Sequence, residues 1–260
     1  MLGLKGYNAG VDCFMADSAV LIRTPVAESG TRCSTCALGQ ICLPVGIAAE
    51  DAARMDSLVS ERVRIPRGQL LYRQGTPLTT VYGVRFGTLK TVLTLPDGRG
   101  QITGFHLPGE IVGLDGLGKM EHVSDATALE DSEACVLRFD ELQDLARELP
   151  SLQTQLMRLM SNEISRDHDM LVMLGAMRAE ERLAAFLLNL SQRMSARGYS
   201  ATEFVLRMSR EEIGSYLGLK LETVSRLFSR FAESGLIQVK QRHIKLIDQD
   251  ALRQIVGSRC

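Results

Sequence analysis

Between Met208 and Gly235 the chain reads MSREEIGSYLGLKLETVSRLFSRFAESG, and no other stretch narrows the choice of fold so far. Ser209 and Glu212 have the spacing of a capping box, in which a hydroxyl and a carboxylate three residues apart satisfy backbone amides at a helix start. Ile213 and Leu217 supply the buried face of a first helix, and Gly218 supplies the turn. Val224, Leu227, Phe228 and Phe231 supply the buried face of a second helix, which Gly235 ends. Two short helices joined by a glycine turn predict a helix-turn-helix, and Leu236 to Val239 with Ile244 to Ile247 predict a hairpin wing beside it. A helical hairpin can be purely structural, but here the solvent face of the second helix carries Glu222, Ser225, Arg226 and Arg230. Arg226 can bond bidentately to guanine, Glu222 can accept from cytosine N4, and Ser225 can approach a base edge or a thymine methyl. Lys220, Arg210 and Lys240 are placed as phosphate contacts, which position a domain without specifying sequence. Lys220 stands where a Ser or Thr helix cap is usual, so a phosphate contact would compensate.

The charge distribution agrees with double-stranded DNA as a partner. Residues 176–260 hold 14 Lys and Arg against 9 Asp and Glu, a balance of +5, whereas the preceding 175 residues hold 16 against 22, a balance of −6. A basic end on an acidic body is the asymmetry of a nucleic-acid-binding module joined to something else. At 260 residues the chain is long enough for two domains, each with a core that needs no disulfide. No apolar run approaches the ~18 residues that span a bilayer, so no membrane partner is expected. The N-terminus has no secretion signal either, which together predicts a cytoplasmic protein.

Upstream lies a second concentration of chemistry, TRCSTCALGQICLP, with Cys33, Cys36 and Cys42 within ten residues. A fourth thiol, Cys135, falls far downstream in a stretch, Ala126 to Phe139, that reads as one strand. Free cysteines often fill cores, but a loop bracketed by Gly30, Gly39 and Pro44 has no core to fill. Four thiolates could close a zinc tetrahedron. A compact triad plus one remote ligand equally suits an iron-sulfur cluster, since a loop wraps three corners and a strand supplies the fourth. Spacing alone leaves the two open. Cys13 and Cys260 lie in tails and read as spectators, with Cys13 a possible substitute ligand.

The remaining chain predicts an α+β architecture of four parts. Residues 1–46 form an arm without regular structure followed by the cysteine loop. Residues 47–148 form a small antiparallel β-roll entered by a helix over 47–61; closely spaced glycines and the Asp97-Gly98 hairpin signal point to it. Residues 149–178 form one long helix. Residues 179–260 open with an amphipathic helix and carry the winged helix-turn-helix. Along the long helix Leu149, Leu152, Leu156 and Leu159 form a stripe expected to pack on the roll. Met157, Met160, Ile164, Asp167, Leu171 and Leu174 follow the 3,4 spacing of a coiled-coil seam, which predicts a homodimer. Asp167 would face its own copy there, keeping the dimer weak enough to be controlled.

PRGQLLYRQG with HLPGEIVG resembles the roll of the Crp-Fnr transcription regulators, and LETVSRLFSRF resembles the recognition helix of their oxygen-responsive Fnr-like (Anr-like) branch. The Glu-x-x-Ser-Arg of that branch stands here as Glu222, Ser225 and Arg226. Cyclic-AMP-binding members carry an Arg-Ser pair where this chain reads GLDGLGKMEHVSDATA, so a cyclic nucleotide is not expected. The resemblance implies a 4Fe-4S cluster on Cys33, Cys36, Cys42 and Cys135, one per chain, with Ile41 shielding it from oxygen. It also implies a dimer that forms when oxygen is scarce, binds a palindrome of TTGAT-like half-sites and controls anaerobic-metabolism genes as an activator or repressor. The loop from Thr94 to Arg99 would touch RNA polymerase. The alternative is a regulator of the same family answering another ligand or redox signal, with a structural zinc at the cysteines and haem, on His106 or His122, or a nucleotide as effector. No catalytic constellation is present, so an enzyme is not expected.

Overall fold

The structure, a computed structural model, describes residues 21–25 and 32–257. Its N-terminal half consists of β1 (Ile22–Pro25), α1 (Ala49–Arg54) with a 3-10 turn over Met55–Leu58, and eight further strands. These are β2 (Val59–Ile65), β3 (Leu70–Tyr72), β4 (Thr80–Phe86), β5 (Leu89–Thr94), β6 (Gly100–His106), β7 (Ile111–Val112), β8 (Asp125–Ala128) and β9 (Ser132–Arg138). They form two antiparallel sheets, ordered β1-β2-β9-β4-β7 and β3-β8-β5-β6. Side chains from both sheets, among them Val63, Tyr82, Val136, Leu89 and Ala126, share one apolar cluster. The predicted hairpin joins β5 to β6: Gly98 adopts φ +83° and the Leu95 amide donates to the Arg99 carbonyl at 2.8 Å.

Three local expectations fail here. The helix predicted over 47–61 stops at Arg54, and Val59–Ile65 is a strand. Its apolar positions Val59, Val63 and Ile65 are buried in a register that pairs β2 with both β1 and β9, so sheet pairing overrides the helical reading. The unstructured arm contributes β1, whose Arg23 pairs with Glu61 across the sheet. The single strand over Ala126 to Phe139 is two strands in different sheets, divided at Glu130 and Asp131. There Ser132 Oγ donates to the Glu130 carbonyl at 2.7 Å, and Asp131 accepts from the Arg67 amide at 2.9 Å. Cys13 and Cys260 lie outside the described residues.

A helix that the sequence reading passed over, α2 (Phe139–Glu148), leads into the long helix α3 (Pro150–Ala176), with Pro150 in its first turn. Leu149 and Leu152 are buried, and Leu156 and Leu159 pack beside them, so this stripe lies against the roll as predicted. After α3 come α4 (Ala179–Ser195), β10 (Glu203–Val205), α5 (Arg210–Leu217), α6 (Leu221–Glu233), β11 (Ile237–Lys240), β12 (His243–Leu246) and α7 (Gln249–Gly257). The wing is therefore a three-stranded sheet, β10-β12-β11, rather than a bare hairpin.

The two halves dock closely. Ile102, Phe105, Leu107 and Leu129 of the roll share one apolar cluster with Leu183, Ile213, Leu217 and Phe228 of the C-terminal unit. Polar contacts frame it: Lys90 Nζ lies 2.8 Å from Glu212, Arg207 lies 3.2 Å from Glu130, and the Ile102 amide donates to Ser215 Oγ at 3.2 Å. Arg182 of α4 stitches the junction by donating to the carbonyls of Leu174, Met177 and Leu217. Those are helix-end carbonyls that lack partners within their own helices.

Candidate functional site

The cysteine site is built from a loop and the middle of a sheet. Cys33 opens a 3-10 turn whose Ser34 is tied to Asp56 by its amide at 2.9 Å and its hydroxyl at 2.7 Å. The chain then turns tightly, with the Gly39 amide donating to Cys36 and the Cys42 amide to Leu38, both at 2.9 Å. Cys135 lies on β9, in register with Arg62 of β2 and Gly83 of β4. Gly83 marks where the two segments meet: a Cβ there would sit at ordinary contact distance, 3.8 Å from Cys135 Cβ and 3.9 Å from Cys42 Sγ.

All four thiols are free and line one small apolar cavity with Leu38, Leu43, Pro44, Val59 and Leu137. Burial pushes the Cys33 thiol up to about 12, and the facing Cys135 and Cys42 add to it. Burial likewise pushes Cys42 up to about 12 and raises Cys135. Cys33, Cys42 and Cys135, which resist ionisation because of burial and of neighbouring thiols, favour a cationic centre in place of their protons. Among the described residues no three His, Cys, Asp or Glu side chains are grouped to hold a single metal ion. The donor set, sulfur throughout and walled by aliphatic side chains, fits a soft thiolate-bound centre. Ile41 sits on the backbone of Gly109, where a Cβ would come within 2.8 Å of Ile41 Cγ1.

The second site is the exposed face of α6. Ser209 and Glu212 form the predicted box, with the Glu212 amide donating to Ser209 Oγ at 3.1 Å and the Ser209 amide to Glu212 Oε2 at 2.7 Å. Gly218 ends α5 with φ +62°. A Cβ on Gly214 would lie 2.6 Å from the Leu219 carbonyl oxygen, so a glycine is needed where the two helices cross. The sequence reading missed Gly214. Val224, Leu227, Phe228 and Phe231 are buried, which turns Glu222, Ser225 and Arg226 to the surface. Lys220 is exposed and forms no side-chain cap. Two arginines, Arg230 expected on the groove-facing surface and Arg210 expected at a phosphate, have partners within the chain. Arg230 pairs with Glu180 of α4, and the Arg210 guanidinium lies 3.3 Å over the Phe228 ring, where burial lowers its pKa to about 10.

The predicted seam on α3 divides. Met157, Met160, Ile164 and Leu171 are exposed, with Met157 at 61% and Leu171 at 68%, and Val172 joins them. Asp167 is exposed on the same helix. Leu174 is half-buried and leans on the helix-turn-helix instead, its Cδ2 3.0 Å from where a Gly218 Cβ would be. Arg166 pairs with Glu163 at 2.7 Å rather than with Asp167. His106 is buried and bonded to Thr91 Oγ1 at 3.1 Å, and His122 stacks on Tyr72 at 3.8 Å. A cavity of about 650 Å³ between roll, α3 and α4 is lined by Asp115, Glu163, Asp167 and Asp169 against Arg166 and Arg193. The turn between Thr94 and Arg99 is exposed, with Asp97 and Arg99 paired at 2.7 Å.

A β-roll joined by a long helix to a winged helix-turn-helix defines a two-domain DNA-binding transcription regulator, not an enzyme. Residues 62–148 match the cyclic nucleotide-binding domain, and residues 181–255 match the Crp-like helix-turn-helix domain. The chain is 61% identical over 235 residues to the transcriptional regulatory protein btr of Bordetella pertussis, covering 90% of this chain and 97% of that one. It is 44% identical over 241 residues to the fumarate and nitrate reduction regulatory protein of Escherichia coli K12, covering 93% and 96%. Among solved structures, FixK2 from Bradyrhizobium japonicum superposes with a TM-score of 0.70 at 31% identity, over 75% of this chain and 96% of that one. The chain belongs to the Crp-Fnr family of transcription regulators. Among the described residues no helix is long and apolar enough to cross a membrane.

Proposed function

We propose that the chain is a cytoplasmic oxygen-responsive regulator that holds one 4Fe-4S cluster on Cys33, Cys36, Cys42 and Cys135. It dimerises through α3 when oxygen is scarce and binds palindromic TTGAT-like promoter sites through Glu222, Ser225 and Arg226. The observation that carries this reading is the meeting of four free thiols from a loop and a central strand in one apolar cavity. The name of the Escherichia coli relative, fumarate and nitrate reduction regulatory protein, supports the physiological assignment. Bound at this site, the cluster would supply a centre that oxygen can destroy.

The chain's own residues supply the connection to DNA. Cys33, Cys42 and Cys135 pack on the same apolar cluster that holds Leu142, Leu149 and Leu152, so the thiol site and the base of α3 share one core. Packing changes at the thiols would thus reach the exposed Met157, Met160, Ile164 and Leu171, which a second copy of α3 would cover. Two recognition helices are needed to read two half-sites, so loss of the dimer would remove operator binding. The carboxylates around the large cavity and the engagement of His106 and His122 in packing speak against a cyclic nucleotide or haem as the signal. The exposed Thr94–Arg99 turn remains available to RNA polymerase.

The test is an absorption spectrum with iron and sulfide analysis of anaerobically purified protein, repeated after admitting air, with DNA binding followed in parallel. We expect about four irons and four sulfides per chain, the value of a cubane cluster, and bleaching together with loss of DNA binding. Protein that is metal-free or carries only zinc, and binds DNA equally well in air, would overturn the reading.

A further inference from the structure

The cysteine loop touches the molecule at a second place, away from the core beneath α3. Ile41, which precedes Cys42, is seated on Gly109: that glycine has φ +89°, and a Cβ on it would meet Ile41 Cγ1 at 2.8 Å and Cδ1 at 2.9 Å. The next residue, Glu110, is only 8% exposed, and its carboxylate holds two arginines of the DNA-binding half. Arg193 Nη2 donates to Glu110 Oε2 at 2.7 Å and Arg193 Nε to Oε1 at 3.0 Å, while Arg197 Nη2 donates to Oε1 at 2.6 Å. Arg197 Nε also donates to the Pro108 carbonyl at 2.7 Å, and Arg193 to the Phe105 carbonyl. The turn is stapled to β4 as well, with the Gly109 amide donating to Val84 at 2.7 Å and the Val84 amide to Glu110 at 2.9 Å.

We propose that the turn Leu107–Glu110 is an intramolecular relay, with Ile41 as its input and the Glu110–Arg193–Arg197 clamp as its output. Through it the packing of the cysteine loop sets how firmly α4, the first helix of the DNA-binding half, is held on the roll. The clamp is suited to two states rather than a graded one. Both arginines form their ion pairs with the same carboxylate, and the Arg197 side chain is 6% exposed. Withdrawing Glu110 would strand buried charge, so the alternative to a closed clamp is release of both arginines to water. Release would reach the recognition unit directly, because Arg182 on the same helix bonds to the Leu217 carbonyl at the end of α5. This route runs within one chain and does not pass through the α3 seam. Its use in oxygen signalling rests on the function proposed above; the mechanical link does not.

A double-mutant cycle in the full-length chain tests it: Ile41→Ala, Glu110→Gln and the pair, measured metal-free and after anaerobic reconstitution with iron and sulfide. Amide hydrogen exchange over Leu190–Arg197 reads the clamp, DNA affinity reads the output, and sedimentation reads the dimer. Each single change is expected to speed exchange there by about fivefold or more, the usual lower size of coupling between sites. The pair should do no more than the larger single change, with the dimer constant unmoved. Multiplying effects, unchanged exchange in Ile41→Ala, or a dimer constant that shifts in step would overturn the relay. If Glu110→Gln fails to fold, Ile41→Ala beside Ile41→Val decides, because only the alanine should loosen α4. If reconstitution yields no cluster, the metal-free cycle still decides the relay, so the two readings fail separately.

Discussion

Arg226 shows how one side chain acquires its role from its neighbours. Four buried apolar residues fix the rotation of α6, so the guanidinium projects outward with Glu222 and Ser225 beside it. We expect Arg226→Ala to weaken binding to the specific site by about 1–3 kcal/mol and to relax preference at one base position, measured by competition shifts with variant operators. Lys220→Ala should instead weaken all sequences alike and flatten the salt dependence by about one unit. Equal loss of specificity in both variants would contradict this division of labour. Gly214 makes a separate point. With a Cβ forced to 2.6 Å from the Leu219 carbonyl oxygen, Gly214→Ala should cost roughly 1–3 kcal/mol and lower the melting temperature, whereas an unchanged melt would mean the helices can part freely.

At the scale of the element, α3 has two faces with different fates. The Leu149–Leu159 stripe is spent on the roll, and the Met157–Leu171 stripe is left in water. Asp167 interrupts that exposed stripe, and two copies brought together there would repel. Asp167→Ala should therefore tighten the dimer by roughly tenfold, which is about 1.4 kcal/mol, and should allow DNA binding in air. Sedimentation and aerobic gel shifts check this, and a well-folded variant that stays monomeric in air would count against it. The strand β9 is the other element with a double assignment. It carries Cys135 at the centre of its sheet and runs directly into α2, which places that thiol one short helix from α3.

For the whole molecule, the buried ionisable groups at the junction of the halves make stability depend on pH. Burial lowers the pKa of His106 from 6.5 to about 4, so it is neutral in the folded state near neutral pH. Burial alone would raise Glu110, but Arg193 and the arginines near it outweigh this and hold the carboxyl at about 2. Both folded values lie below the unfolded ones, so each contribution is present above the unfolded pKa and is lost as pH falls. The His106 contribution should disappear between pH 6.5 and about 4, and the Glu110 contribution between about 4.5 and 2. We expect urea-derived stability to fall by on the order of 3 kcal/mol across the first window, and His106→Gln to flatten that fall. A wild-type curve that is level from pH 7 to 4 would refute the burial of His106 as its cause.

What the sequence by itself determined is whatever local spacing encodes. Ser209 with Glu212, Gly218 and the apolar positions of α6 specify a helix-turn-helix because caps, turns and 3.6-residue periodicity act within a few residues. Asp97-Gly98 specifies its hairpin for the same reason. Leu142, Leu145, Ala146 and Leu149 stand at helical spacing, a local signal of α2 that the assignment of residues 47–148 to the roll passes over. Tertiary structure alone decided the rest. Val59–Ile65 is a strand because β1 and β9 lie on either side of it, and no local pattern reports a neighbour far away in the chain. Cys42 and Cys135 meet beside Gly83 because the fold brings two separate segments together there. Arg230 and Arg210 take their positions from Glu180 and Phe228, which the local pattern does not report. Glu110 was one acidic residue in an HLPGEIVG motif until the fold brought Arg193 and Arg197 against it, since a buried charge takes its meaning from the charges packed around it.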